Sequence, residues 1–148
     1  MEKELLGATR PGPRPHNQMP GSLELAFLGD TIYDLYVRTR LVDAGGHVKA
    51  FNERASKTVC AGAQARALSR IEGMLTDAEA AVVRRARNAR QTPTGHASLA
   101  DYHRATALEA LCGYLYLTGD IVRLDELMDA ALADAPNAAD EGEKHGVL

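Results

Sequence analysis

Residues 23–42 read LELAFLGDTIYDLYVRTRLV. Stepped at the roughly 100° per residue of an α-helix, Leu25, Leu28, Gly29, Ile32, Leu35 and Tyr36 gather on one side. Ala26, Tyr33 and Val37 widen that side into an apolar arc, while Asp30, Asp34 and Arg38 follow one another at i, i+4 along the remaining strip. The pattern predicts an amphipathic helix that carries a carboxylate, Asp30, at the margin of its core face rather than in free solvent. Gly29 costs such a helix about 1 kcal/mol relative to Ala. A glycine kept at that position implies that another element packs close to the backbone. Asp34 and Arg38 are spaced for a surface ion pair.

The rest of the chain is compatible with an all-α fold. Its 148 residues suit one domain with a real core. It is 45% hydrophobic with no Trp and two Phe, and it is rich in Ala and Leu with few β-branched runs, which favours helix over sheet. No run approaches the ~18 apolar residues of a membrane span. The opening MEKELLGATRPGPRPHNQMPGS lacks the apolar segment of a secretory signal. Cys60 and Cys112 lie in helical, apolar contexts and read as reduced, buried thiols of a cytoplasmic protein. The net charge of −3 is unevenly spread: residues 119–148 hold eight acids against Arg123 and Lys144, net −6, so residues 1–118 carry +3. That asymmetry leaves room for a local basic face.

Residues 1–21 hold four of the six prolines and read as a flexible arm, with a short helical turn at 2–6. Ser22 is placed to N-cap the first helix, which should end near Asp43, before Gly45-Gly46. Residues 48–73 keep a helical rhythm through Val48, Phe51, Ala55, Val59, Ala61, Ala65, Leu68 and Ile71, with a break near Gly62. Lys49, Arg54, Lys57, Arg66 and Arg70 fall off that rhythm, as on a solvated basic face. Thr76 and Glu79 form a capping box that starts a further helix. Asp120 caps a last one over 121–133, with Ile121, Leu124, Leu127, Met128 and Leu132 inward. The ordered domain is thus 22–134, and 135–148 is a disordered acidic tail.

Two segments carry unusual chemistry. RRARNAR, at 84–90, runs into TPTGHAS, and 84–104 contain Arg84, Arg85, Arg87, Arg90 and Arg104 against the single acid Asp101. The helix macrodipole accounts for one or two arginines at a helix C-terminus, not for this density. A phosphate-backbone contact explains it better. YHRATALEALCGYLYL, at 102–117, is apolar on most sides, with Glu109 its one acid. A carboxylate there needs a partner: an arginine, a cation, or a second carboxylate sharing a metal. On chemistry alone a structural salt bridge ranks first. Phosphate-binding glycine loops, zinc-ligand spacings and the nucleophile elbow are absent. Carboxylates and arginines remain, a set suited to Mg²⁺ or Mn²⁺ and a phosphate-bearing substrate.

Taken in order, LAFLGDTIYDLYVR, RRARNAR with its Thr/Pro/Gly loop, and YHRATALEALCGYLYL resemble the motifs of the ribonuclease III family. The likeness is strongest to its Mini-ribonuclease III branch, and NERASKTVCAGAQARAL follows that branch up to its Ala-Gln-Ala; together they cover roughly 20–134. The resemblance implies an all-α ribonuclease III endonuclease domain, homodimeric, that cuts double-stranded RNA. Asp30 and Glu109 fall on the family's metal-binding acids, for Mg²⁺ or, in its place, Mn²⁺. Arg84, Arg85, Arg87, Asn88 and Arg90 fall on its RNA-contacting segment. The substrate implied is precursor 23S ribosomal RNA, and no double-stranded-RNA-binding domain is expected. Further acids of longer members are replaced by Leu23, Ala26 and Thr106, as in the Mini-III branch, and Gly62 stands where that branch has a lysine. The alternative is a non-catalytic RNA-binding helical dimer in ribosome assembly, with Asp30 and Glu109 as structural carboxylates.

Overall fold

The computed structural model describes residues 13–91 and 98–133. Within them the regular elements are helical: α1 (Ser22–Ala44), α2 (Val48–Val59), α3 (Ala61–Ile71), α4 (Asp77–Arg87), α5 (Leu99–Thr118) and α6 (Ile121–Ala131), with single 3₁₀ turns at His16–Gln18 and Glu72–Met74. The predicted turn at 2–6, the loop at 92–97 and the tail at 135–148 lie outside the described residues.

The bundle is built around α5. Ala107, Leu108, Ala110, Leu111, Cys112, Leu115 and Leu117 are buried on every side of it, as expected of a helix with apolar residues all round. Helices α1, α3, α4 and α6 pack against it. Ser98 caps its start by accepting from the Asp101 amide. Gly119, in the left-handed region at φ 81°, closes its end.

Helix α1 lays Leu25, Ala26, Gly29, Ile32, Tyr33, Val37 and Leu41 into the core. Its apolar arc is narrower than the helical wheel suggests. Leu28 and Tyr36 are half-buried and Leu35 is 51% exposed; Phe27, outside the arc, is 85% exposed. Gly21 occupies the N-cap and Ser22 is the first helical residue, so the expected serine cap is not made. The helix stops at Gly45 and Gly46, both at positive φ, where a Cβ would be strained.

Helices α2 and α3 meet at Cys60, two residues before the break expected at Gly62. Cys60 takes an extended conformation (ψ 156°), which strands the last carbonyls of α2. Two side chains claim them: Tyr33 Oη donates to Thr58 O at 3.1 Å and Gln64 Nε2 donates to Val59 O at 3.1 Å. Val48, expected inward, is 72% exposed at the free start of α2. Arg70 is not part of a solvated basic face, since its Nε donates to Ala131 O at 2.8 Å and ties α3 to α6.

The capping box at Thr76 and Glu79 forms as predicted. Glu79 is buried and also receives Arg123 from α6, at 2.9 Å from both Nε and Nη2. Tyr36 with Asp125, and Arg40 with Asp129 at 2.7 Å, tie α1 to α6. Asp34 and Arg38 pair at 2.9 Å. Residues 13–21 lie on the C-terminal end of α5: Arg14 N donates to Leu117 O at 2.8 Å, and the His16 Nδ1 and Tyr114 hydroxyl are hydrogen-bonded at 3.2 Å. Asp120 caps α6 through the Arg123 amide.

Candidate active site

The site is a consequence of how closely α1 crosses α5. A Cβ built on Gly29 would lie 1.6 Å from the carbonyl oxygen of Glu109, and one built on Gly113 would lie 2.2 Å from that of Leu25. The two backbones therefore touch, running antiparallel, with Gly29 opposite Glu109 and Gly113 opposite Leu25. No other residue fits either position. The cost of glycine in each helix, about 1 kcal/mol, is offset by this contact. Asp30 follows Gly29 directly, so the contact that needs Gly29 also carries Asp30 to the side chain of Glu109.

The two carboxyls line one cleft. Burial, together with the hydrogen bond and the charge of Asp30, pushes Glu109 up to about 8, while a hydrogen bond from Gln64 pulls it back. Asp30 itself is exposed, on the side that opens to solvent. Above the pair is an open cleft of about 400 Å³ lined in part by Leu23, Phe27, Val59, Gln64, Gln91 and Tyr102. The salt bridge ranked first for Glu109 is not what the structure holds. Its neighbours are a second carboxylate and a neutral amide, because Gly29 brings α1 in where an arginine would have to stand.

This donor set is all oxygen, and two adjacent carboxylates suit a hard divalent cation. Among the described residues no cluster of three or more His, Cys, Asp or Glu is placed to hold a metal. Protein alone would thus supply two ligands.

Arg84, Arg85, Arg87, Asn88 and Arg90 are all exposed, the first three in the last turn of α4 and Asn88 at its C-cap. The segment is moored to the cleft just after Arg90: Gln91 Nε2 donates to Thr106 Oγ1 at 2.7 Å, one turn before Glu109 on α5. Thr106 donates in turn to Tyr102 O at 3.1 Å. At the start of α3, a Cβ on Gly62 would lie 3.5 Å from the Arg66 guanidinium and 3.7 Å from Asp101 Oδ2. A cation therefore stands beside the position at which the resemblance anticipates a lysine.

Gln64, Gln91 and Phe27 line the site and were not singled out from sequence. A signal existed for Gln64, which falls between Ala61 and Leu68 on the inward face of α3, where a polar residue needs partners. Cys60 is exposed at the α2–α3 junction, against the expectation of two buried thiols, because the helix break turns it outward; Cys112 is buried as expected.

Comparison with known proteins agrees with the geometry. The family description "Ribonuclease III domain" matches residues 23–120. The Mini-ribonuclease 3 of Symbiobacterium thermophilum is 44% identical over 115 residues, covering 74% of this chain and 85% of the relative. That of a Synechocystis species is 40% identical over 129 residues, covering 87% and 88%. A crystal structure of a Fusobacterium nucleatum protein superposes with a TM-score of 0.73 at 27% identity, covering 81% of this chain and 98% of that one. The chain belongs to the ribonuclease III family, in its Mini-ribonuclease 3 branch, and is an endoribonuclease of the ribonuclease III type.

Proposed function

We propose that this endoribonuclease cuts double-stranded RNA as a homodimer that uses Mg²⁺ or Mn²⁺ held by Asp30 and Glu109, and that its substrate is precursor 23S ribosomal RNA. The observation that carries the reading is the apposition of Asp30 and Glu109 at the foot of an open cleft, with no cation of the described chain between them. A divalent ion bound there would lower the pKa of the attacking water and neutralise charge on the leaving oxygen. With only two protein ligands per subunit, waters and RNA phosphates would complete its coordination, as Mg²⁺ tolerates.

Arg84, Arg85, Arg87, Asn88 and Arg90 grip the phosphates and 2′-hydroxyl face of an A-form duplex. Their exposure and the Gln91–Thr106 mooring beside Glu109 support that role. Arg66, on α3, adds a phosphate contact. Leu23, Phe27 and Leu35 recur at i, i+4 and i+12 along the uncovered side of α1, and all three are exposed. A second copy of the chain covers this stripe. Since Leu23 and Phe27 also line the cleft, the partner's surface forms part of its wall. Two free thiols and the lack, among the described residues, of any helix able to cross a membrane fit action in the cytoplasm.

The test is a cleavage assay on a long RNA duplex and on its single strand, at low salt because backbone binding weakens steeply with salt. Mg²⁺, Mn²⁺ and EDTA are compared, beside an Asp30→Asn control. Metal-dependent cutting of the duplex alone, lost in the control, is the expected result. Binding without cutting under either metal would overturn the reading. Precursor and mature 23S RNA offered to the same protein then test the natural substrate.

A further inference from the structure

Helix α4 holds Arg84, Arg85 and Arg87 in place through Val82, Val83 and Ala86, which it buries in the core. Arg90 has no such support. The helix ends at Arg87, and residues 88–91 follow outside any regular element. The amides of Asn88 and Ala89 still bond back to α4, at Arg84 O and Ala86 O. Among the described residues, one side-chain hydrogen bond ties 88–91 to a different helix: Gln91 Nε2 donates to Thr106 Oγ1 of α5 at 2.7 Å.

Chemistry fixes the sense of that bond. Thr106 is 5% exposed, and its one hydroxyl hydrogen goes to Tyr102 O at 3.1 Å. Its oxygen is left to accept, and the amide must meet it with its NH₂. A flipped amide would set oxygen against oxygen. The anchor is firm, since Ala105, Ala107 and Leu108 beside Thr106 are all buried. The tether is also neutral. A lysine or arginine at position 91 could donate to the same oxygen, but it would carry a cation into a cleft lined by Asp30 and Glu109, where it would pair with them.

We infer that Gln91 is a positioning residue for RNA binding: its bond to Thr106 holds the chain against α5 one turn before Glu109, so that Arg90 stands at a fixed place relative to the Asp30–Glu109 pair. This rests on the reading of the arginine segment as the RNA grip. Without the bond, Arg90 would hang beyond the end of α4 on a backbone that RNA binding itself would have to order. With it, the guanidinium is offered to a phosphate from a backbone already in place, and that ordering cost is removed from the binding step. Gln91 acts through Arg90 and adds no charge of its own to the interface.

An uncharged residue that acts through a charged one leaves a signature in the salt dependence. Gln91→Leu exchanges one uncharged side chain for another and removes the donor. Binding of a labelled RNA duplex in EDTA, followed by fluorescence anisotropy over a range of salt, should weaken about 2–10-fold, the scale of one hydrogen bond. The slope of log Kd against log salt should flatten toward that of Arg90→Ala, by up to about one unit for each subunit bound, as for the loss of a phosphate contact. In the Arg90→Ala background the same change should have no further effect. Thr106→Val cuts the bond from its other end and should reproduce these results, which keeps the test open if Gln91→Leu folds poorly. In cleavage assays KM for RNA should rise while kcat at saturating RNA holds. Weakened binding with an unchanged salt slope would overturn the inference, because Gln91 would then touch the RNA itself. Additive losses in the Gln91→Leu, Arg90→Ala double variant would overturn it too, as would binding equal to the parent's. If the parent bound no duplex, or bound it equally at low and high salt, the reading of the arginine segment would fall and this inference with it, so the parent titration tells the two failures apart.

Discussion

Glu79 and Glu109 are two carboxylates packed against apolar side chains of the same bundle, and their surroundings are opposite. Glu79 sits at the α4–α6 seam, accepts from Arg123 and from the Thr76 amide, and is held below its ordinary pKa, chiefly by the Arg123 hydrogen bond. Glu109 sits at the α1–α5 seam against Asp30 and is pushed up to about 8, chiefly by burial. Every acceptor of the first is matched by a donor within the chain. The second has one amide, Gln64, and a like charge. Burial alone therefore does not mark a functional acid. The mark is burial beside a group that makes the charge worse, a cost a fold carries only where a ligand from outside relieves it. The two seams also differ in construction. Side chains separate α4 from α6, whereas α1 and α5 meet backbone to backbone at Gly29 and Gly113.

The sharpest way to separate the two acids is activity. Asp30→Asn and Glu109→Gln should each lower kcat on duplex RNA by more than about 10³-fold, near 4 kcal/mol in barrier, while both proteins fold. Glu79→Gln should leave cutting by the folded protein within a few-fold of the parent. Single-turnover cleavage at saturating RNA measures all three, and a robustly active Glu109→Gln would erase the distinction.

The seam itself is the next largest target. Gly29→Ala would gain about 1 kcal/mol of helix propensity, yet its methyl would sit on the Glu109 carbonyl, so α1 must back away from α5 along its length. A loss of more than about 3 kcal/mol is expected, at the upper end of overpacking effects. Gly62→Ala makes the control, since its Cβ would meet nothing closer than 3.5 Å. Urea denaturation should place Gly62→Ala level with the parent or above it. A Gly29→Ala protein as stable as Gly62→Ala would show that the helices do not need the contact.

Much of this was legible in the sequence, and the parts that were not share a cause. The helices, the capping box at Thr76 and the glycine that signals a close approach at position 29 are local in sequence, and each appears in the structure. The identity of Glu109's neighbour was not local. It depends on which backbone passes α5, and hydrophobic periodicity is silent about that, so a salt bridge was the natural first thought. Leu35 misled for a related reason. It belongs to the apolar arc by angle, but the described helices cover only part of α1. The α2–α3 break falls at Cys60, where Tyr33 and Gln64 take up the freed carbonyls, and no turn residue near Cys60 announces it.

On the structural side of the comparison, Arg123→Leu or Glu79→Gln should each cost about 2 kcal/mol, the scale of a hydrogen bond to a charged group. Their pH dependence should carry the sign of a depressed carboxylate. The contribution of Glu79 is complete above its unfolded pKa, about 4.3, and is lost as pH falls through its lower folded value. Melting temperature followed from pH 7 to pH 3 should therefore drop more steeply in the parent than in Glu79→Gln. Parallel curves would mean that the Arg123 pair adds nothing to the fold.

Glu109 should show the reverse sign. In EDTA its folded pKa, about 8, lies above the unfolded value near 4.3. Folding therefore takes up a proton between those limits, and the parent loses stability as pH climbs through them. Glu109→Gln cannot ionise and escapes that loss. The two proteins should melt together near pH 4 and diverge toward pH 9, where the variant is the more stable. Adding Mg²⁺ should close the gap from the parent's side, since an ion bound between Asp30 and Glu109 stabilises only the folded state. A variant that melts below the parent at pH 9 in EDTA would make Glu109 a structural acid of the Glu79 kind, and the contrast between the two seams would then reduce to their choice of partner.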